Sequence, residues 1–155
     1  MRRCCGAQVT ALLGHNGAGK STTMSMLTGM LAPTAGRALI DGRDVTRHMA
    51  SIRASLGVCP QFDILWPVLT VLEHLHIYAA LRGIPRREVP LVAWEAAREV
   101  DLLEKMATRA GELSGGQRRK LSVAIAFMGS PRIVVRTIVL LQPTGLVKGK
   151  NPKSN

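Results

Sequence analysis

The chain has 155 residues, a formal charge of +11, 46% hydrophobic residues and 3% aromatic ones. That length suffices for one domain with its own core, and the aromatic content is too low for the stacking platforms of a nucleic-acid binder. The longest apolar stretch, Ile133 to Val147, is broken by Arg136 and Gln142 and is too short to cross a bilayer.

The amino end, Met1-Arg2-Arg3, has the charge of a signal n-region, but a polar glycine segment follows where an apolar core would be required. Cys4, Cys5 and Cys59 are odd in number and lack metal-ligand spacing, so unpaired thiols are expected. Val9 to Leu13 reads as a buried strand running into a glycine-rich loop. A helix opens near Gly19-Lys20-Ser21, with Met24, Leu27 and Leu31 at helical spacing and Pro33 and Gly36 as its end. The methionines at 24, 26 and 30 read as core filling. Ala38 to Ile40 is a short strand followed by the turn signal Asp41-Gly42. Met49 to Ser55 predicts a short helix, and Leu56 to Cys59 a buried strand stopped by Pro60.

Thr70 with Glu73 three residues on predicts a helix N-terminus. Leu72, Leu75, His76 and Ala79 form its inner side, which makes His76 a core residue and His74 a surface one. Their i,i+2 spacing puts the two histidines on different faces, unsuited to a shared metal. A further helix is expected from about Glu88 to Lys105, with Val89, Val92, Ala93, Ala96, Val100 and Leu103 inward and an Asp101–Lys105 pair on its surface. Ser114 caps a third helix with Leu121, Ala124, Ile125 and Met128 inward. Ile133 to Val135 is a strand, and Lys148 to Asn155 a polar, basic, disordered tail. Trp66 and Trp94 read as packing residues. Strand, glycine loop, helix, short strands and a helical insert together predict an α/β domain with a parallel sheet.

The loop Gly14-His15-Asn16-Gly17-Ala18-Gly19-Lys20-Ser21 fits G-x-x-x-x-G-K-[ST]. Its glycines let the backbone approach an anion closely. Consecutive N–H groups from Asn16 to Thr22 form a nest, and the following helix adds its positive end. Lys20 bridges β- and γ-phosphates, and Ser21 offers its hydroxyl oxygen to Mg²⁺. About ninety residues on stands Leu113-Ser114-Gly115-Gly116-Gln117.

With GHNGAGKSTTMSMLTGMLAPTAGRALIDG, LGVCPQFDILWPVLTVLEHL and LSGGQRRKLSVAIAF, residues from about Gln8 to Val135 resemble the nucleotide-binding domain of ABC transporters, closest to the A subfamily of lipid exporters. The resemblance implies a P-loop NTPase fold over 1–147, with a helical subdomain at about 64–113. It makes ATP and Mg²⁺ the ligands and Gln61 a second Mg²⁺ contact. It implies that Ser114, Gly115, Gly116 and Gln117 face the γ-phosphate bound by a second nucleotide-binding domain, in a head-to-tail sandwich. The remaining partners are transmembrane transporter domains, on the cytoplasmic face of a membrane, with no role for nucleic acid. Arg118, Arg119 and Lys120 are expected in the first turn of the signature helix, where cations oppose its dipole; they read equally as an anion-facing surface or a solvated basic patch.

One part of the family pattern is missing. After Ile133-Val134-Val135 the family continues Leu-Asp-Glu-Pro-Thr, the Asp holding Mg²⁺ through water and the Glu acting as general base. This chain has no acidic residue after Glu112. Either the pattern stops at Arg136, or Leu141 and Gln142 in Leu-Gln-Pro-Thr occupy the carboxylate positions. Neither supplies a base, a contribution commonly worth about 10²–10⁴-fold in rate. No catalytic residue is therefore assigned. The switch histidine, the dimerising loop and the adenine-stacking aromatic are also missing, so the chain reads as clipped at both ends, with a splice or gene-model junction at Val135–Arg136. Two functions follow: an ABC-type ATPase domain coupling ATP to lipid export, or a non-catalytic ATP-binding or regulatory fragment that pairs with an intact domain.

Overall fold

The computed structural model describes residues 11–15 and 17–136. Expectations for Cys4, Cys5, Val9, Thr10, Asn16, Leu141, Gln142 and the tail at 148–155 lie outside them. Helix α1 spans Lys20–Leu27, strands β1 and β2 Leu39–Ile40 and Arg43–Asp44, helix α2 Met49–Ser55 and strand β3 Leu56–Cys59. Helices α3, α4 and α5 cover Val71–Leu81, Val89–Glu99 and Gly115–Phe127, and β4 covers Ile133–Arg136. Strands β1 and β2 form an antiparallel hairpin. Asp41 and Gly42, both at positive φ (51° and 73°), make its turn, the geometry that two-residue hairpins favour. Strands β3 and β4 are parallel, Leu56 opposite Ile133 and Cys59 opposite Arg136, which gives the α/β, parallel-sheet class expected of a P-loop NTPase.

Two apolar clusters hold the chain. Ile40, Val45, Ile52 and Leu56 form the smaller, with Leu27, Met49, Ile133 and Val135 packed on it. The larger joins Val71, Leu75 and Ala79 of α3, Ala93, Ala96 and Ala97 of α4, and Leu121 and Ala124 of α5, closed by Leu102, Leu113 and Met128. Alanines on α4 let the three helices approach closely, and each fully buried Leu contributes about 1.5–3 kcal/mol. Helix α5 also presses against β3. A Cβ on Gly57 would stand 2.1 Å from the Ala126 carbonyl oxygen, so only glycine fits at that crossing. Arginines bridge the two clusters: Arg82, just past α3, donates Nη1 to the Leu56 carbonyl at 2.8 Å.

The Thr70 N-terminus is a full capping box. Thr70 Oγ1 accepts from Glu73 N–H at 3.2 Å, and Glu73 Oε2 accepts from Thr70 N–H at 2.7 Å and from Thr70 Oγ1 at 2.9 Å. The Thr70 backbone and hydroxyl bonds hold the Glu73 carboxyl below its ordinary value of 4.5. A depressed carboxylate contributes stability that is complete above that pH and drains away as the pH falls through the lowered value. The melting temperature of the wild-type chain is expected to exceed that of Glu73→Gln at neutral pH. The margin should close in acid below 4.5; a margin independent of pH would contradict the charged cap.

Several sequence expectations are corrected. Ala11 to Leu13 form no strand, and Leu13 is 75% exposed; a strand exists only through a ladder, and among the described residues none pairs with it. Helix α1 ends earlier than Pro33. Met30 N–H bonds Ser25 O (2.8 Å) and Gly29 N–H bonds Met26 O (3.1 Å), with Gly29 at φ 71°, a Schellman stop that leaves Leu31 outside the helix. Met24 and Met26 are only part-covered and Met30 is 76% exposed, so they fill no core. The helix expected through Lys105 stops at Glu99. Asp101 turns left-handed (φ 59°), Leu103–Lys105 is a separate 3₁₀ turn, and the Asp101 carboxylate meets Lys120 Nζ at 3.3 Å instead of Lys105.

The histidines exchange places. His74 is fully buried and His76 part-exposed. The His74 ring is held at both nitrogens: Nε2 accepts from Trp66 N–H at 2.9 Å, and Nδ1, which faces a carbonyl that can only accept, donates to Thr70 O at 2.7 Å. Trp66 stacks on the ring with centroids 5.7 Å apart while keeping one side in solvent. Trp94 is a surface residue with the Arg98 guanidinium 4.8 Å from its ring centroid.

Candidate nucleotide site

The glycine loop stands exposed ahead of α1. Gly17 and Gly19 both adopt positive φ (86° and 82°), which an L side chain resists, and a Cβ at either would meet no heavy atom within 4 Å. The opening is therefore backbone-lined. Ala18 N–H turns back to His15 O at 3.2 Å, tightening the loop. Gly19 occupies the N-cap and has no side chain to bond the first turn, which leaves the N–H groups of Lys20, Ser21 and Thr22 as donors. Thr23 N–H is satisfied by Gly19 O at 2.9 Å. The Lys20 ammonium folds over the loop and donates to Gly14 O at 2.5 Å and His15 O at 2.7 Å. A positive charge, open amides and unobstructed glycines thus share one short segment, the combination a phosphate site uses. Ser21 and Thr22 are exposed in the first turn.

The signature segment is built differently. Ser114 Oγ accepts from Gln117 N–H at 3.2 Å, and Gln117 Oε1 accepts from Ser114 N–H at 2.9 Å. The serine and glutamine side chains are thus engaged with each other, and the donors left at the start of α5 are the N–H groups of Gly115 and Gly116. Both glycines are exposed, and nothing lies within 4 Å of a Cβ at Gly116. The spacing Ser-Gly-Gly-Gln is a reciprocal cap around two bare amides. Each of the three cations that follow has a partner. Arg118 Nη1 donates to Leu113 O at 2.6 Å, Lys120 pairs with Asp101, and Arg119 reaches across to the segment after β3.

Gln61 lies in that segment, exposed, just beyond Pro60. Its described hydrogen bond, Arg119 Nη1 to the Gln61 carbonyl at 3.4 Å, ties it to α5. The structure therefore brings Gln61 to the signature helix; no hydrogen bond described here joins it to residues 14–22. The sequence marks Arg119 only as one of three helix-start cations, because nothing local signals a bond that closes across 56 to 59 positions. Arg136 lies with Glu99, Asp101, Gly116, Arg119 and Lys120 around an open cleft of about 460 Å³.

Residues 4–136 match the family model described as ABC transporter. The chain is 54% identical over 127 residues to "ABC transporter A family member 6" of Dictyostelium discoideum, covering 82% of this chain and 8% of that protein. It is 49% identical over 128 residues to the "Phospholipid-transporting ATPase ABCA3" of Homo sapiens, covering 83% of this chain and 8% of the relative. Among solved structures, an ATP-binding subunit of an ABC transporter superposes with a TM-score of 0.70 at 27% identity, over 80% of this chain and 52% of that one. The chain thus spans a small fraction of the length of its sequence relatives and about half of that structural neighbour. No helix among the described residues is long and apolar enough to cross a membrane.

Proposed function

This chain belongs to the ABC transporter family as an ATP-binding domain, and from that premise we propose that it binds Mg-ATP through Gly14, His15, Asn16, Gly17, Ala18, Gly19, Lys20, Ser21 and Thr22. The observation that carries the reading is the Lys20 ammonium held across the mouth of the loop, 2.5 and 2.7 Å from two of its carbonyl oxygens, ahead of an uncapped helix start. The exposed Ser21 hydroxyl and Gln61 amide oxygen are the proposed Mg²⁺ contacts. Bound there, the metal would neutralise phosphate charge. The open amides of Gly115 and Gly116, steadied by the Ser114–Gln117 cap, are the proposed donors to a nucleotide held by a second nucleotide-binding domain. The whole assembly we propose is a lipid exporter with transmembrane domains, this domain on its cytoplasmic face, consistent with the phospholipid-transporting relative.

Binding without turnover is the second reading, favoured for this polypeptide by the lack of any Asp or Glu after Glu112. Without a carboxylate there to polarise water, ATP is held but not cleaved. Calorimetric titration of the 155-residue chain with Mg-ATP is expected to give saturable binding, and a phosphate-release assay on the same sample a rate at background. Release that Lys20→Ala abolishes would refute the non-catalytic reading. A folded chain indifferent to millimolar Mg-ATP would refute the binding one.

A further inference from the structure

We infer that Arg119 is a positioning residue that locks the Gln61 segment to the signature cap, so that the proposed metal contact and the Gly115–Gly116 amides move as one body. The inference rests on the nucleotide reading for its functional consequence, but its physical basis is independent of it.

Three acceptors of one short segment converge on a single guanidinium nitrogen. Arg119 Nη1 lies 2.5 Å from Pro60 O, 3.2 Å from Asp63 Oδ1 and 3.4 Å from Gln61 O. The side chains of Arg119 and Asp63 are only 24% and 22% exposed, so the pair is partly shielded from water and salt, unlike a surface pair. Arg119 stands in the second turn of α5, directly behind the Ser114–Gln117 cap. Arg118 fixes the residue before that cap by its bond to Leu113 O. The chain from Ile64 to Leu113 leaves and returns between the two ends of this clamp, and its helices α3 and α4 pack on α5. A displacement of Gln61 toward a bound metal must therefore either drag α5 or break charge-assisted bonds, which are about twice as strong as neutral ones.

A lysine could keep the charge and the Asp63 partner, but its compact ammonium lacks the reach of the planar fork. Graded effects are thus expected, methionine worse than lysine. The measurement is amide hydrogen exchange by mass spectrometry on the full chain, for wild type, Arg119→Lys, Arg119→Met and Asp63→Asn, paired with ATP titrations in Mg²⁺ and in EDTA. Arg119→Met is expected to raise exchange at residues 61–65 about tenfold or more, with residues 121–127 of α5 unchanged as the control for folding. It is also expected to reduce the Mg²⁺-dependent gain in ATP affinity at least about fivefold, with affinity in EDTA within about twofold of wild type. Arg119→Lys should recover part of both. Unaltered exchange at 61–65 in Arg119→Met would overturn the clamp; loosened exchange with an intact Mg²⁺ gain would overturn its positioning role. A wild-type chain that ignored ATP would refute the nucleotide reading instead, and the exchange data would still decide the clamp.

Discussion

Alanine in place of Lys20 is expected to weaken ATP binding by about ten- to a hundredfold while leaving the fold intact. The ammonium is a full positive charge drawn over the loop by the Gly14 and His15 carbonyls. A hydrogen bond to a charged group is worth about 1.5–3 kcal/mol, and each 1.4 kcal/mol is about tenfold in affinity. Against a triphosphate the loss belongs at the upper end, because the loop amides cannot supply a full charge. The substitution is cheap structurally: α1 buries none of its residues, and Lys20 itself is only part-covered. Parallel titrations and melts of the two proteins check both halves. Equal affinities, or a collapsed melt for the variant, would contradict this account of the site.

The second large effect concerns stability, at Gly57. The glycine lies in β3 where α5 crosses it, and an added Cβ would fall 2.1 Å from the Ala126 carbonyl oxygen, with Pro131 and Val134 side chains at 3.1 Å. The nearest obstacle is backbone, which cannot swing aside as a side-chain tip would. Strand and helix would have to part, opening gaps between the β3–β4 pair and α5. Overpacking of this kind costs about 1–3 kcal/mol and sometimes more, out of a total of about 5–15 for a domain. Gly57→Ala is expected at or beyond the upper figure, a drop of about 6–12 °C in melting temperature for a chain this size, and Gly57→Val is expected not to fold. An unaffected Gly57→Ala melt would mean the crossing is looser than these distances allow.

What the sequence disclosed was mostly local. Thr70 with Glu73, and Ser114 as a helix cap, are legible because capping is completed within four residues. The Met49–Ser55 helix and the Leu56–Cys59 strand were read with their observed bounds. Failures occur where a distant partner decides. His74 rather than His76 is buried because the loop at Trp66 delivers an N–H to its ring, a contact no periodicity encodes. Leu12 and Leu13 have the composition of a buried strand but no ladder among the described residues. Asp101 breaks a continuous apolar stripe by turning left-handed, a choice its short polar side chain tolerates. The phosphate loop was legible as a motif, and its spacing set the expected donors. The reach of Arg119 to Pro60 could not be read from residue types alone.

The β3–β4 register carries a kinetic consequence. Leu56 is matched with Ile133 although α3, α4 and α5 all lie between them in the chain. Closing so wide a loop costs entropy before any ladder bond repays it, whereas the three helices meet through contacts between near neighbours. During refolding the bundle is expected to form early and carry β4 back to β3, so the parallel pair forms last and limits the rate. Until that closure, both strands present open edges to other chains, and the interval between collapse and closure is when aggregation competes with folding.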